Sequence, residues 1–152
     1  MNEQAKKYWK EFWQGEFPPT NVTAEQWGWE GTPMADELAD LILKGIKTAS
    51  CSSYDECLYY DEAPLSKIGS YTIVLNSKDE PVGIIKYTDM TIMPMNEVTE
   101  EIARAEGDLS YDYWYKVHKK FFRELMPQIG KEFYEEMPLA VERFELINAK
   151  EM

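Results

Sequence analysis

Residues 70–76 (SYTIVLN) and 81–93 (PVGIIKYTDMTIM) are two strand-like runs separated only by Ser77-Lys78-Asp79-Glu80. β-branched and aliphatic side chains in short runs, bounded by turn residues, read as strands, and a four-residue spacer is an ordinary hairpin turn. Pro81 suits a strand start or a sheet edge, where no ladder hydrogen bond is lost. This central hairpin restricts the chain to folds that contain an antiparallel sheet.

Helical periodicity flanks the hairpin on both sides. Ala5, Tyr8, Trp9, Phe12 and Trp13 place one apolar stripe on a helix over residues 3–14, ended by Gly15 and kept from restarting by Pro18-Pro19. A second helix begins with Thr32 as N-cap and Pro33 at its first position, carries Met34, Leu38, Leu41 and Ile42, and stops at Gly45. Thr99 caps a short helix through Arg104. Ser110 caps a longer one to about Met126, with Tyr111, Trp114, His118, Phe121, Phe122 and Leu125 on its apolar face. Segment 138–147 (PLAVERFELI) alternates Leu139, Val141, Phe144 and Leu146 with charged residues, imperfectly around Arg143, and closes the fold as a strand. This order of elements favours an α+β class with antiparallel hairpins over a βαβ layer fold. No repeat, low-complexity tract or linker divides the chain, so residues 1–152 are expected to form a single domain.

The formal charge of −12 and a pI near 4.5 produce an average field that repels phosphate backbones, which disfavours non-specific nucleic-acid binding. The short basic clusters Lys6-Lys7 and Lys119-Lys120 read as solvated helix faces. Cys51 and Cys57 match none of the common zinc or thioredoxin-like spacings and are expected to be free thiols. Neither a secretory leader nor a run of about eighteen uncharged apolar residues is present, so a cytoplasmic protein with no membrane association is expected. Phosphate-binding glycine motifs and the G-x-S-x-G elbow are also missing, which leaves no support for a nucleotide cofactor; none is expected.

Chemistry concentrates in Gly45-Ile46-Lys47-Thr48-Ala49-Ser50-Cys51-Ser52, at a helix-to-strand junction. A lysine partly withdrawn from water there can act as base or nucleophile, with Ser50 as its hydroxyl partner. Alternatively, Lys47 complements the negative end of the preceding helix while Thr48, Ser50 and Ser52 pair with a bare strand edge. The residues by themselves favour that second reading. In Ala105-Glu106-Gly107-Asp108, a loop carboxylate could exchange a proton or hold a substrate amine. Equally, Asp108 and Ser110 could compete to cap the next helix, with Glu106 solvated. His118 is the only histidine and sits near an apolar helix face, where a structural role with one nitrogen hydrogen-bonded is the usual outcome. It lacks a second ligand at i+4, so no metal site is assigned. Trp27 and Trp29, set among Gly28 and Gly31, could stack on a base for about 1–3 kcal/mol per base, although core packing is the commoner use of tryptophan. Met90, Met93 and Met95 read as core or edge filler.

Three blocks carry a family resemblance: LILKGIKTAS, AEGDLSYDYWYKVHKKFF and LAVERFELI. Together and in this order they resemble the ASCH family, specifically its longer bacterial group once catalogued as a domain of unknown function. The resemblance implies a PUA-like fold, a small bent β-barrel with surrounding helices and a cleft near the lysine signature G-x-K-x-x-[ST]. It also implies RNA-related roles. One smaller group of the family is an amidohydrolase that removes the acetyl group of acetylcytidine with a lysine, a threonine and a glutamate. Carried over, these fall on Lys47, on Ser50, which keeps the hydroxyl without the methyl, and on Glu106, with Asp108 the rival because the acidic loop differs. Another relative is described as a ribonuclease.

The expectation is therefore a nucleoside- or RNA-related protein with a Lys47, Ser50, Glu106 centre and with Trp27, Trp29, Thr48, Ser52 and Asp108 contacting the ligand. Amide hydrolysis of an acylated nucleoside is one reading. The alternative is a non-catalytic module that binds single-stranded RNA or senses a small nucleoside-like ligand. A scaffold whose aromatics fill a core or a homodimer surface is the third.

Overall fold

The structure, a computed structural model, describes residues 1–150. Its helices are α1 (Glu3–Trp13), α2 (Pro33–Leu43), α3 (Tyr54–Tyr59), α4 (Glu100–Ala105) and α5 (Tyr111–Leu125). Its strands are β1 (Val22–Gln26), β2 (Ala49–Ser53), β3 (Tyr71–Leu75), β4 (Pro81–Pro94) and β5 (Pro138–Ala149). The strands are ordered β1-β3-β4-β5-β2, which leaves β1 and β2 at the edges. The expected hairpin is present as the antiparallel β3–β4 pair, and β2 runs antiparallel to β5. Within the hairpin turn, the Asn76 side chain accepts from the Lys78 and Glu80 amides, both at 3.0 Å. The α+β class expected from the element order is the class observed.

Two elements depart from the sequence reading. β1 has no apolar run to announce it, because Thr23 and Glu25 are exposed and Val22, Ala24 and Gln26 only half-buried. It pairs parallel to β3, so the sheet is mixed and not built from antiparallel hairpins alone. α3 is the other addition. The hydroxyl-rich run ends as a strand at Ser53, whose Oγ accepts from the Glu56 amide at 3.2 Å and so starts a helix over YDECLY.

By packing, the chain divides into two compact units. The first comprises Met1–Ile46, Gly69–Tyr87 and the described residues from Phe144 to Lys150. Its core sets Ala5, Tyr8 and Trp9 of α1 against Ile73, Leu75 and Ile84, with Phe12, Trp13, Tyr71 and Ile147 at the margin. Burial of each such large side chain contributes about 1.5–3 kcal/mol. Asn2 caps α1 by accepting from the Ala5 amide at 2.8 Å.

The second unit, Lys47–Ile68 with Thr88–Arg143, contains β2 and α3 to α5. Trp114, Phe122, Met95, Met126, Met137, Leu139 and Val141 are fully buried in its core. Thr99 and Ser110 cap α4 and α5 through their hydroxyls, as their positions predict. The irregularity at Arg143 has a physical cause. Its guanidinium forms a two-pronged pair with Glu101, both contacts at 2.7 Å, and the inward-facing parity changes between Val141 and Phe144. Leu146, expected inward, is exposed.

Candidate functional site

The C-terminal end of α2 leads through Gly45, whose backbone is left-handed at φ 72°, and delivers Lys47 into the second unit. There Lys47 is 3% exposed, so its amine does not neutralise the open end of α2 as a solvated charge. Nζ donates instead to the Ala49 carbonyl at 3.0 Å and to Glu106 Oε1 at 3.1 Å. Glu106 is itself buried at the end of α4, which excludes the solvated alternative for this carboxylate.

Four N–H groups converge on Glu106. Oε1 accepts from Lys47 and from the Cys51 backbone amide at 3.0 Å, while Oε2 accepts from Trp114 Nε1 and lies 2.7 Å from His118 Nε2. A carboxylate offers about four lone-pair sites, so these donors fill it. The Cys51 contact also covers the free edge of β2, since β2 pairs with β5 on its other side. The Thr48 amide adds a bond of 2.7 Å to the Ala105 carbonyl along the same edge.

Electrostatics follow from this geometry. Burial alone would push the Glu106 carboxyl up, but the charges of Lys47 and His118, with the hydrogen bonds from His118 and Trp114, hold it well below the usual carboxylate range. Burial would likewise depress His118. The Glu106 charge and hydrogen bond, together with the Trp114 carbonyl, outweigh that and raise it above its ordinary value. Both ring nitrogens face acceptors, Nδ1 toward the Trp114 carbonyl at 2.8 Å and Nε2 toward Glu106, an arrangement that favours the doubly protonated imidazolium over either neutral tautomer. Asp108, half-buried beside the cluster, is raised chiefly by burial and then by Glu106, against His118 and Lys47.

The signs give a pH dependence. The His118 contribution to stability is fully present below its unfolded value, about 6.5, and is lost as pH rises through the raised folded value. The Glu106 contribution is present above about 4.3 and is lost as pH falls through the depressed folded value. The cluster therefore stabilises most between about pH 4.5 and 6.5. His118→Gln is expected to flatten the decline above pH 6.5 in urea-melt midpoints. A variant whose midpoints track the wild type across that range would contradict the assignment.

The site residues expected from sequence are distributed as follows. Lys47 and Glu106 meet. Ser50 and Ser52 lie on the face of β2 that carries Glu142, because Ser50 pairs with Glu142 and Ser52 with Ala140 in the β2–β5 register. Ala49, Cys51 and Ser53 take the other face. Thr48 is exposed and engages through its backbone. Trp27 and Trp29 belong to the first unit. Trp27 is buried edge-on to Phe144 at 5.3 Å, and the half-buried Trp29 accepts from Thr32 Oγ1 through its carbonyl at 2.5 Å.

Sequence reasoning missed Trp114 and His118 as partners of Glu106. They are one turn apart on α5, their rings stacked at 4.3 Å and 22°. A histidine at i+4 from a tryptophan on an apolar face, with a carboxylate in the preceding loop, is the signal that could have found them. The expectation of one engaged nitrogen on His118 is corrected to two.

This arrangement of a lysine after a helix, an acid in the α4–α5 loop and a Trp-His helix face lies inside the region, residues 25–148, matched by the ASCH domain model. The chain belongs to the ASCH domain family. The crystal structure of protein EF3133 from Enterococcus faecalis V583, assigned to the DUF984 family model, is 36% identical to this ASCH domain, with a TM-score of 0.86 over 98% of this chain and 91% of that one. An ASCH domain from Lactobacillus crispatus JV V101 is 29% identical, with a TM-score of 0.88 over 96% and 95% of the two chains. The fold is thus the PUA-like α+β fold of ASCH domains, a family broadly associated with RNA. No match was found among curated proteins. Among the described residues, no helix of this ASCH domain is long and apolar enough to cross a membrane, and no group of three or more His, Cys, Asp or Glu side chains is placed to hold a metal ion.

Proposed function

We infer that this ASCH domain recognises a nucleoside-like ligand, with the Lys47–Glu106–His118 cluster as the charged support of its binding site. The observation that carries this reading is the buried cluster itself, in which two cationic side chains share one filled carboxylate. Desolvating such charges costs several kcal/mol per ion, and apolar replacements of buried ion pairs are often equally stable, so stability alone does not account for its presence. A fixed positive balance in a chain of net charge −12 suits the electron-rich edge of a neutral base better than an extended phosphate backbone.

Hydrolysis of an acylated nucleoside through Lys47, Ser50 and Glu106 is the second reading, favoured by the 3.1 Å approach of Lys47 to Glu106. With its lone pairs occupied, Glu106 would hold Lys47 in place and leave proton transfer to another group.

Calorimetric titration with the four ribonucleosides tests the first reading. Binding is expected to vary little with ionic strength, whereas a single-stranded RNA ligand would weaken steeply with salt. Absence of heat and of any thermal shift with every nucleoside would overturn it. Incubation with N4-acetylcytidine tests the second. Release of cytidine by the wild type and its loss in Lys47→Ala are expected, and equal turnover by both would remove Lys47 from the reaction.

A further inference from the structure

A groove of about 510 Å³ opens in the second unit, between the segment that enters α4 and the first turn of α5. Its walls are Asn96, Val98, Glu100, Ser110, Tyr111 and Asp112. Small-molecule sites span about 300–1,000 Å³, so the space suits a ligand of that class. Tyr111 joins this groove to the Lys47–Glu106–His118 cluster. Its half-buried ring stacks on Trp114 at 5.9 Å and 23°, and Trp114 stacks on His118 at 4.3 Å and 22°. A row of stacked rings thus runs from the imidazole to the groove wall. A planar ligand lying against Tyr111 extends that row by one ring.

Polar groups in the wall are uncommitted. Among the described residues, the Asp112 carboxylate and the Asn96 side-chain amide take part in no hydrogen bond or ion pair. Glu100 meets Arg104 through Oε1 alone, at 3.5 Å between exposed side chains. The Ser110 hydroxyl, in contrast, accepts from the Tyr113 amide at 3.2 Å. None of the lining residues is lysine or arginine, so the groove offers carboxylate acceptors and no cation for a phosphate. A carboxylate takes two parallel N–H donors side by side. Of the four common bases, guanine has two adjacent donors on one edge, N1–H and the N2 amino group. Adenine and cytosine place an acceptor beside their amino group, and uracil flanks its one N–H with two carbonyls. We propose that this groove is the base-reading part of the nucleoside site, with Tyr111 as the stacking platform and Asp112 as the acceptor for N1–H and the N2 amino group of guanine. The proposal rests on the nucleoside reading above and adds to it which base is recognised and by which residues.

The test titrates the full chain calorimetrically with guanosine, inosine, adenosine, cytidine and uridine. Inosine keeps N1–H and lacks the N2 amino group, so guanosine is expected to bind at least about tenfold more tightly, as one hydrogen bond to a charged acceptor implies. Asp112→Asn, at an exposed position, should remove most of that preference. Tyr111→Leu should weaken guanosine binding about tenfold by removing the ring on which the base stacks. Tyr111→Phe keeps the ring and should bind guanosine as the wild type does. Equal affinity for guanosine and inosine, a preference that Asp112→Asn leaves intact, or guanosine binding that Tyr111→Leu leaves unchanged would overturn the base-reading groove while nucleoside binding stands. Binding of no nucleoside at all would overturn the nucleoside reading and the groove with it.

Discussion

Replacement of Glu106 by glutamine is expected to destabilise the protein by about 3–5 kcal/mol. The carboxylate is 3% exposed and is the common acceptor for Lys47, His118, Trp114 and the Cys51 amide. A glutamine retains one acceptor oxygen and turns an NH2 group toward donors, so at least one N–H faces another N–H. The Lys47 and His118 charges also lose the anion that offsets their burial. Urea denaturation at pH 6 measures the effect. Because the wild-type advantage depends on an ionised Glu106, the gap between the two proteins should close as pH falls through the depressed folded value of that group. Lys47→Met combined with Glu106→Gln should cost less than the two single effects added together, by about 0.5–3 kcal/mol, as expected for groups in direct contact. A Glu106→Gln protein within about 0.5 kcal/mol of wild type, the scatter of ordinary surface changes, would show that the Glu106 charge does not offset the burial of Lys47 and His118.

Trp114→Ala carries the second large effect, a loss of about 3–5 kcal/mol. The indole is fully buried, stacks on His118 at 4.3 Å and on Tyr111 at 5.9 Å, and donates Nε1–H to Glu106. Trp114→Phe separates the two roles, since it keeps most of the ring while removing the donor. Loss of a hydrogen bond to a charged acceptor alone accounts for about 1.5–3 kcal/mol, and chemical denaturation should place the phenylalanine variant between wild type and alanine. A phenylalanine variant as stable as wild type would mean that the indole N–H adds nothing to the cluster.

Much of the fold was legible because short-range rules governed it. The β3–β4 hairpin, the Thr99 and Ser110 caps and the Pro33 start of α2 each depend on a few adjacent residues, and each appears where those residues place it. β1 was not legible. An edge strand with alternating exposed Thr23 and Glu25 carries little apolar signal, and its parallel partner β3 is far away in sequence. α3 depended on whether Ser53 would extend β2 or cap a helix, a choice that hydroxyl-rich sequence leaves balanced.

The site was half legible. Resemblance to the family brought Lys47 and Glu106 together, and they meet. Residue types alone favour a Lys47 that complements the negative end of α2, because nothing local reveals that a loop some sixty residues away supplies its counter-ion. Ser50 was grouped with Lys47 by proximity in sequence. Alternation along β2 instead gives it the face of Glu142, a residue that the strand pattern of LAVERFELI had marked only as an outward charge. His118 reads as structural because a lone histidine shows no ligand partner in sequence, and its importance comes from having two acceptors, one on its own helix and one in the preceding loop.

A filled, ionised Glu106 carboxylate beside His118 favours the doubly protonated ring. With one histidine in the chain, a 15N-labelled protein gives a single imidazole to follow by NMR. A titration midpoint above the ordinary histidine value of about 6.5 is expected, with imidazolium signals from both ring nitrogens below it and reversion toward the ordinary value in Glu106→Gln. A wild-type ring that titrates at or below the ordinary value, unchanged in Glu106→Gln, would show that Glu106 does not hold the imidazolium.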